Sequence, residues 1–218
     1  MEPNFWHERW QLGEIGFHQA SVNADLLQRW PALPIPPDAT VFVPLCGKSL
    51  DMPWLRQRGH PIVGIELSEQ AIGEFFDAQQ LTPQRTGHGA LERWEAGGYS
   101  LYCGDFFALT PQDLAGCSAT FDRAALIALP VAMRVRYALH MSRLLGPDTQ
   151  TLLVTMCYPQ DQMTPPPHSV CEPEVRSLYA TDFKVRLLAS RNTLEDEPRL
   201  RARGLQQLFE QSYLLTRR

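Results

Sequence analysis

No stretch of this 218-residue sequence is apolar for long enough to span a bilayer. The longest run free of polar groups, residues 124–133, is about half of the ~20 residues a spanning helix needs, so no membrane role is expected. Basic residues are not in excess either: 20 Lys and Arg face 24 Asp and Glu, for a net charge of -4. That balance argues against affinity built on neutralising nucleic-acid phosphates and points to a small-molecule partner. There is no C-x-x-C pair, and the five cysteines (Cys46, Cys103, Cys117, Cys157 and Cys171) are odd in number. Neither a disulfide framework nor a zinc site is suggested, and the cysteines read as reduced thiols of a cytoplasmic protein. His7, His18 and His140 have no companion ligands at metal spacing, so they read as structural and no metal is expected. The opening "MEPNFWHERW" lacks the apolar centre of a signal peptide. Internal repeats are absent, and nothing demands more than a monomer.

What is present is an ordinary globular composition, 44% hydrophobic and 20% charged, at a length suited to one generous domain. Residues 4–30 suggest two amphipathic helices, with Ser21 as the cap of the second, closed by the proline cluster "PALPIPP". Residues 1–37 are thus expected to form a helical segment preceding an α/β core at 38–218. From Thr40 the pattern alternates: the β-rich "TVFVPL", a helical run around "MPWLRQRG" stopped by Gly59, the β-run "PIVGIEL", then "SEQAIGEFFDAQQ" with Ser68 as N-cap. This β-α-β-α order implies a parallel sheet covered by helices. Further on, "RWEAGGYSLYCGD" reads as a hairpin about Gly97-Gly98 leading into a strand at 99–103, and "CSATFD" as a short strand. The helical "PVAMRVRYALHMSRLLG" is followed by the β-rich "TQTLLVTMCY", the loop "PQDQMTPPPHSVCEP" and two last strands, "FKVRLLAS" and "LFEQSYLLT".

The stretch "VPLCGKSLDM" ends like a phosphate-binding P-loop, but the first glycine of that motif would have to be Phe42, a bulky residue inside a strand. Lys48 and Ser49 therefore read as ordinary turn residues. The three-glycine dinucleotide fingerprint fails too, since only Gly47 is present. What survives is a strand, a tight one-glycine turn and a helix, with the acidic Glu66 19 residues beyond Gly47 at the end of the next strand. An acid there can accept both ribose hydroxyls of an adenosine cofactor. Without a pyrophosphate cradle, a cofactor lacking phosphates is preferred, and S-adenosylmethionine is the common one. Asp105, after "SLYCG", and Asp122-Arg123, after "CSATF", put further polar groups at strand ends of the same crevice. Cys46 has no adjacent base, so it is not read as a nucleophile.

Six pieces in order, "FWHERWQLGEIGFHQ", "VPLCGKSLDMPWL", "GHPIVGIELSEQAI", "SLYCGDFFAL", "FDRAALIALP" and "LFEQSYLLT", resemble the thiopurine S-methyltransferases, in particular the bacterial members, over nearly the whole chain. The resemblance implies the class I S-adenosylmethionine-dependent methyltransferase fold: Rossmann-like, with a mostly parallel seven-stranded sheet and helices on both faces. It places cofactor contacts on Trp10, Leu45, Glu66, Asp105, Phe106 and Arg123, beside Gly47, whose lack of a side chain lets the cofactor lie close to the strand end. Phe17 falls where the family lines both cofactor and substrate. The substrate-side arginine falls on Arg199 in "EPRLRARG", with Arg201 and Arg203 near enough to compete for that place.

The implied reaction is methyl transfer from S-adenosylmethionine to the sulfur of thiopurines and other small aromatic or heterocyclic thiols, leaving S-adenosylhomocysteine, with selenium and tellurium compounds as further acceptors. In-line displacement from a sulfonium demands mainly positioning, together with a cation that favours the thiolate. Arg123 and then Arg199 are the catalytic candidates, acting directly or by orienting a water that takes the proton, and the segment bearing Trp10 and Phe17 is expected to close over the crevice. A thiocyanate or halide methyltransferase of the same fold is the alternative, and a non-catalytic S-adenosylmethionine sensor is another. A sensor would need Glu66 and Asp105 but not Phe17, Arg123 and Arg199.

Overall fold

In the computed structural model, which describes residues 3–218, two short helices, α1 (Pro3–Gln11) and α2 (Ala24–Arg29), precede the sheet. Asn23 rather than Ser21 caps α2: its side-chain oxygen accepts from the Leu26 N–H at 3.1 Å. Asn is as good a cap as Ser, and it sits immediately before the first helical residue. The β-branched run then forms β1 (Thr40–Pro44), followed by α3 (Asp51–Gln57), which ends at Gly59 with φ +98°. Next come β2 (Ile62–Glu66), parallel to β1, and α4 (Glu69–Ala78). As its sequence suggests, α4 is capped by Ser68, whose hydroxyl accepts from the Ala71 N–H at 3.3 Å, and it buries Ala71, Ile72, Phe75 and Phe76 at helical spacing.

The chain continues through β3 (Gln84–His88), β4 (Leu91–Ala96) and β5 (Tyr99–Cys103), an antiparallel meander whose last strand lies parallel to β2. On the other side of β1 lie β6 (Cys117–Arg123), α5 (Val131–Leu144) and β7 (Gln150–Cys157), then α6 (Glu172–Tyr179), β8 (Phe183–Asn192), α7 (Pro198–Ala202) and β9 (Phe209–Arg217). The described residues build one sheet in the order β3-β4-β5-β2-β1-β6-β7-β9-β8, with β9 inserted antiparallel between β7 and β8.

Alternation along β1 divides the core in two. Val41 and Val43 face Leu26, Met52, Leu55 and Phe75, while Phe42 faces Leu126, Tyr137, Met141 and Leu153. A strand covered on both faces has to be apolar throughout, as "VFV" is. A smaller cluster, Tyr158, Met163, Leu194, Leu200, Leu205 and Leu208, joins the loop after β7 to α7.

Three features differ from the sequence reading. The expected seven strands are there, joined by β4, the first arm of the hairpin read about Gly97-Gly98, and by the unexpected β3, so that the sheet has nine. All five residues of β3 are exposed, so the strand has no apolar alternation to announce it and exists through pairing with β4. Helices α6 and α7 occupy what reads as loop and connection. The thiols are also not all free: Cys157 and Cys171 form a disulfide, leaving Cys46, Cys103 and Cys117 reduced. The loop between the two cysteines returns on itself, with the Val170 N–H donating to the Met156 carbonyl at 2.7 Å, a closure that a spacing of 14 residues does not reveal.

Candidate functional site

From β1 the chain runs outward to β2 and β5 on one side and returns to β6 and β7 on the other, so the order reverses at β1 and β6. Open α/β sheets bind ligands outside the carboxyl ends of their strands at such a reversal. Backbone strain gathers there. Leu45 after β1 has φ +47°, Gly47 has φ +51°, and Ala124 after β6 has φ +66°. A left-handed non-glycine residue costs about 1–3 kcal/mol and persists only where its surroundings fix it.

Glu66 ends β2 and is 7% exposed. One carboxylate oxygen accepts from the Gly47 N–H at 2.9 Å and the other from the Ser68 N–H at 2.8 Å. Burial pushes its pKa up, and these donors pull it back. Each oxygen retains an acceptor position, as a group that is to take two ribose hydroxyls needs. The turn is thereby tied to β2 through the same side chain. Cys46, between them, is buried, and burial with neighbouring Glu66 holds its thiol well above the ordinary value, so it stays protonated and inert.

At the end of β5, Asp105 is exposed and caps a short 3-10 turn, its Oδ1 accepting from the Phe107 N–H at 2.9 Å. The Phe106 ring is turned inward onto Tyr137 and His140, so what it presents to the crevice is backbone. Beside this edge lies a cavity of about 350 Å3 lined by His7, Gln11, Leu67, Ser68, Glu69, Gln70 and Cys103, between α1 and the ends of β2 and β5. A second cavity of similar size, lined by Pro61, Gly97, Gly98 and Tyr99, opens at the opposite ends of these strands, away from the reversal.

The N-terminal segment covers the turn. Trp10 is 4% exposed, and a Cβ on Gly47 would come within 3.3 Å of its ring at a φ of +51°, so a side chain there would be both crowded and strained. Lys48 sits 5.8 Å over the Trp10 ring and pairs with Glu74 at 2.6 Å, while the Gln70 side chain donates to the Trp10 carbonyl at 3.3 Å. Lys48 is therefore a strut between α1, the turn and α4, a role its place in "GKS" did not suggest. Phe17 packs edge-on against Trp6 and Trp10, each at 5.5 Å between ring centres.

Two guanidinium groups complete the crevice. Arg123, half-buried at the end of β6, has no hydrogen bond or ion pair with any described residue, although Glu197, Glu210 and His18 are within its electrostatic reach. Arg199, on α7, also lacks such a partner, and its Nη1 lies 3.9 Å from where a Cβ on Gly16 would be. Its neighbours are engaged: Arg201 pairs with Glu195 at 2.9 Å, and Arg203 donates to the carbonyls of Thr164 and Pro166 at 2.5 and 3.2 Å. Of the three competing arginines, Arg199 alone keeps its donors open toward the segment bearing Phe17.

The family model for thiopurine S-methyltransferase matches residues 1–218. The chain belongs to the thiopurine S-methyltransferase family. It is similar to thiopurine S-methyltransferases of Pseudomonas fluorescens strain Pf0-1, at 48% identity over 213 residues covering 98% of each chain, and of Azotobacter vinelandii, at 47% over 218 residues covering both chains entirely. In fold it is similar to a SAM-dependent methyltransferase from Anabaena variabilis, at a TM-score of 0.65, 12% identity and coverage of 99% and 95%. It is likewise similar to the 1,6-didemethyltoxoflavin-N1-methyltransferase of Burkholderia thailandensis, at 0.64, 15%, 99% and 86%. The fold is the class I methyltransferase sheet, and the protein is an S-adenosylmethionine-dependent methyltransferase.

For a thiopurine S-methyltransferase, the donor set fits that cofactor: a buried carboxylate with two acceptor positions left, an exposed aspartate one strand over, and a left-handed glycine turn that a side chain would strain. Gln11, Leu67, Gln70 and Glu74 escaped the sequence reading, which took His7 as structural and Ser68 only as a helix cap. Helical spacing puts Gln70 and Glu74 on one face of α4, but only the packing of α1 onto it gives that face a purpose.

Proposed function

We propose that this enzyme methylates the sulfur of thiopurines and other small aromatic or heterocyclic thiols, and that soft selenium and tellurium nucleophiles share the site. The observation that carries the reading is that, among the described residues about the crevice mouth, Arg123 and Arg199 hold guanidinium donors with no hydrogen-bonded partner, Arg199 against Gly16 and Arg123 within electrostatic reach of His18. S-adenosylmethionine supplies the activated methyl group.

The remaining work falls to the chain. Glu66 takes the ribose hydroxyls, Asp105 and the Phe106 backbone take the adenine edge, and Leu45, Gly47 and Trp10 fix the cofactor against the strand end. Phe17 stacks on a flat acceptor. Arg123 and Arg199 favour its anion, since a cation within about 4–6 Å lowers the pKa of an acid. With the cofactor bound, these residues would supply the positioning of the acceptor sulfur on which an in-line displacement mainly depends. Residues 1–37 act as a lid over the core at 38–218, tied down through Trp10 and Gln70. The acceptors are small molecules, the protein works as a cytoplasmic monomer, and no metal takes part.

The test is a mass-spectrometric transfer assay with methyl-labelled S-adenosylmethionine and 6-mercaptopurine, thiophenol, thiocyanate, selenite and tellurite. Label on 6-mercaptopurine and thiophenol is expected. Label on thiocyanate alone would replace this reading with the anion-methylating one, and cofactor binding without any product would replace it with the sensor.

A further inference from the structure

Transfer to a neutral thiol leaves a proton to be placed, and the two arginines cannot take it, because a guanidinium is already fully protonated. The candidates are the other titratable groups around Arg123. Glu210 is engaged, accepting from Arg191 at 2.8 Å and from the Asn23 amide at 3.5 Å. Glu197 caps α7 on the side of Arg199 and faces both guanidinium groups as their counter-charge. His18 differs from both. It closes a tight turn, with its N–H donating to the Ile15 carbonyl at 2.8 Å, that presents Gly16 to Arg199 and Phe17 to Trp10. Its half-buried ring has no hydrogen-bond, ion-pair or ring partner among the described residues. By contrast, both ring nitrogens of His60 are engaged, with Trp30 and the Ala39 carbonyl.

We infer that His18, read from sequence as structural, is the proton acceptor for the thiol, an assignment that rests on the S-methyl transfer proposed above. In that step the S–H bond breaks and its proton moves to an imidazole nitrogen. The sulfur electron pair forms the new S–CH3 bond as the sulfonium S–CH3 bond breaks, leaving a neutral thioether and neutral S-adenosylhomocysteine. The imidazolium then returns its proton to solvent.

The surroundings suit a base. Burial, then Lys48 of the cofactor turn and Arg123 of β6, disfavour the imidazolium, while Glu74 of α4 and Asp51 of α3 oppose them more weakly, so the pKa lies below the ordinary value. The ring is therefore favoured in its neutral form, which is able to accept a proton. Because Lys48 and Arg123 disfavour the imidazolium, the one formed during transfer gives up its proton readily.

The test compares wild type with His18→Ala and Glu197→Gln on benzyl mercaptan, which is un-ionised at neutral pH, and on 4-nitrothiophenol, which is ionised. Positioned proton transfer contributes typically about 100- to 10,000-fold. His18→Ala is expected to lose about 100-fold in kcat on benzyl mercaptan and at most a few-fold on 4-nitrothiophenol, with partial rescue by added imidazole and unchanged S-adenosylhomocysteine affinity by calorimetry. Between pH 7 and 8.5 the wild-type rate on benzyl mercaptan should be flat, and that of the variant should rise about tenfold per pH unit, as for a reaction awaiting free thiolate. Equal losses on both thiols, no loss on either, weakened S-adenosylhomocysteine binding, or a thiolate-dependent profile in Glu197→Gln instead would each overturn the assignment. If the wild type methylates neither thiol, it is the S-methyl reading itself that fails.

Discussion

Replacing Glu66 by Gln exchanges one carboxylate oxygen for an NH2 group and separates the binding role of this carboxylate from its structural one. The carboxylate now accepts from Gly47 N at 2.9 Å and Ser68 N at 2.8 Å. A glutamine has one acceptor oxygen, so one of these N–H groups would face an amide NH2. An unpaired donor at a 7% exposed site costs about 1–3 kcal/mol. Burial holds the Glu66 carboxyl above its ordinary pKa, so removing the charge recovers part of that cost. A net loss of about 1–2 kcal/mol corresponds to a Tm lower by about 2–8 °C for a chain of this length. Cofactor binding should suffer more. Hydrogen bonds to a charged group are worth about 1.5–3 kcal/mol, against about 0.5–1.5 for a neutral one. Weakening one ribose hydroxyl contact and losing the other amounts to about 2–4 kcal/mol, or about 30- to 1000-fold in Kd. Calorimetry with S-adenosylhomocysteine, alongside thermal unfolding, measures both. A Kd within threefold of wild type in a folded variant would refute the ribose assignment.

Asp122, fully buried beneath Arg123, accepts from the Tyr137 hydroxyl at 2.8 Å, and burial raises its pKa from 3.8 to about 6. The folded state thus binds this proton more tightly than the unfolded chain, and the resulting penalty is absent below pH ~4 and complete above pH ~7. Asp122→Asn should match wild type at low pH and exceed it by up to about 3 kcal/mol at pH 8, as read by urea unfolding at pH 5 and pH 8; an advantage that shrinks as pH rises would contradict the sign. Arg199→Met should lower kcat/KM for 6-mercaptopurine by about 10- to 150-fold, the worth of one charged hydrogen bond, whereas Arg201→Met, which removes only the exposed pair with Glu195, should stay within about twofold. Comparable losses in the two would show that the acceptor does not distinguish them.

Local chemistry set the alternation of strands and helices from residue 40 onward. A run such as "TVFVP" can bury itself only between two covered faces, Ser68 satisfies the free N–H of Ala71 whatever lies elsewhere, and Gly59 and Gly47 take backbone conformations that other residues resist. Glu66 was legible for the same reason, because a strand-turn-helix-strand unit of fixed spacing returns its acid to the turn it left. Gly47, Asp105 and Arg123 were legible as the turn and polar ends of strands at one crevice, and the resemblance to a family added Trp10, Leu45 and Phe106.

Long-range packing decided what remained. β3 carries no signal of its own and forms because β4 offers an edge. The Cys157–Cys171 pairing depends on a loop closing so that the residues just before the two cysteines meet, the Val170 N–H on the Met156 carbonyl, which no local pattern announces. Three arginines within five residues look alike in sequence, and only the positions of Glu195, Thr164 and Pro166 leave Arg199 as the one with open donors. The environment of His18, set between Lys48 and Arg123 by a segment folded back across the sheet, is likewise a property of the tertiary structure, since burial and charge at a site are summed over every element that reaches it.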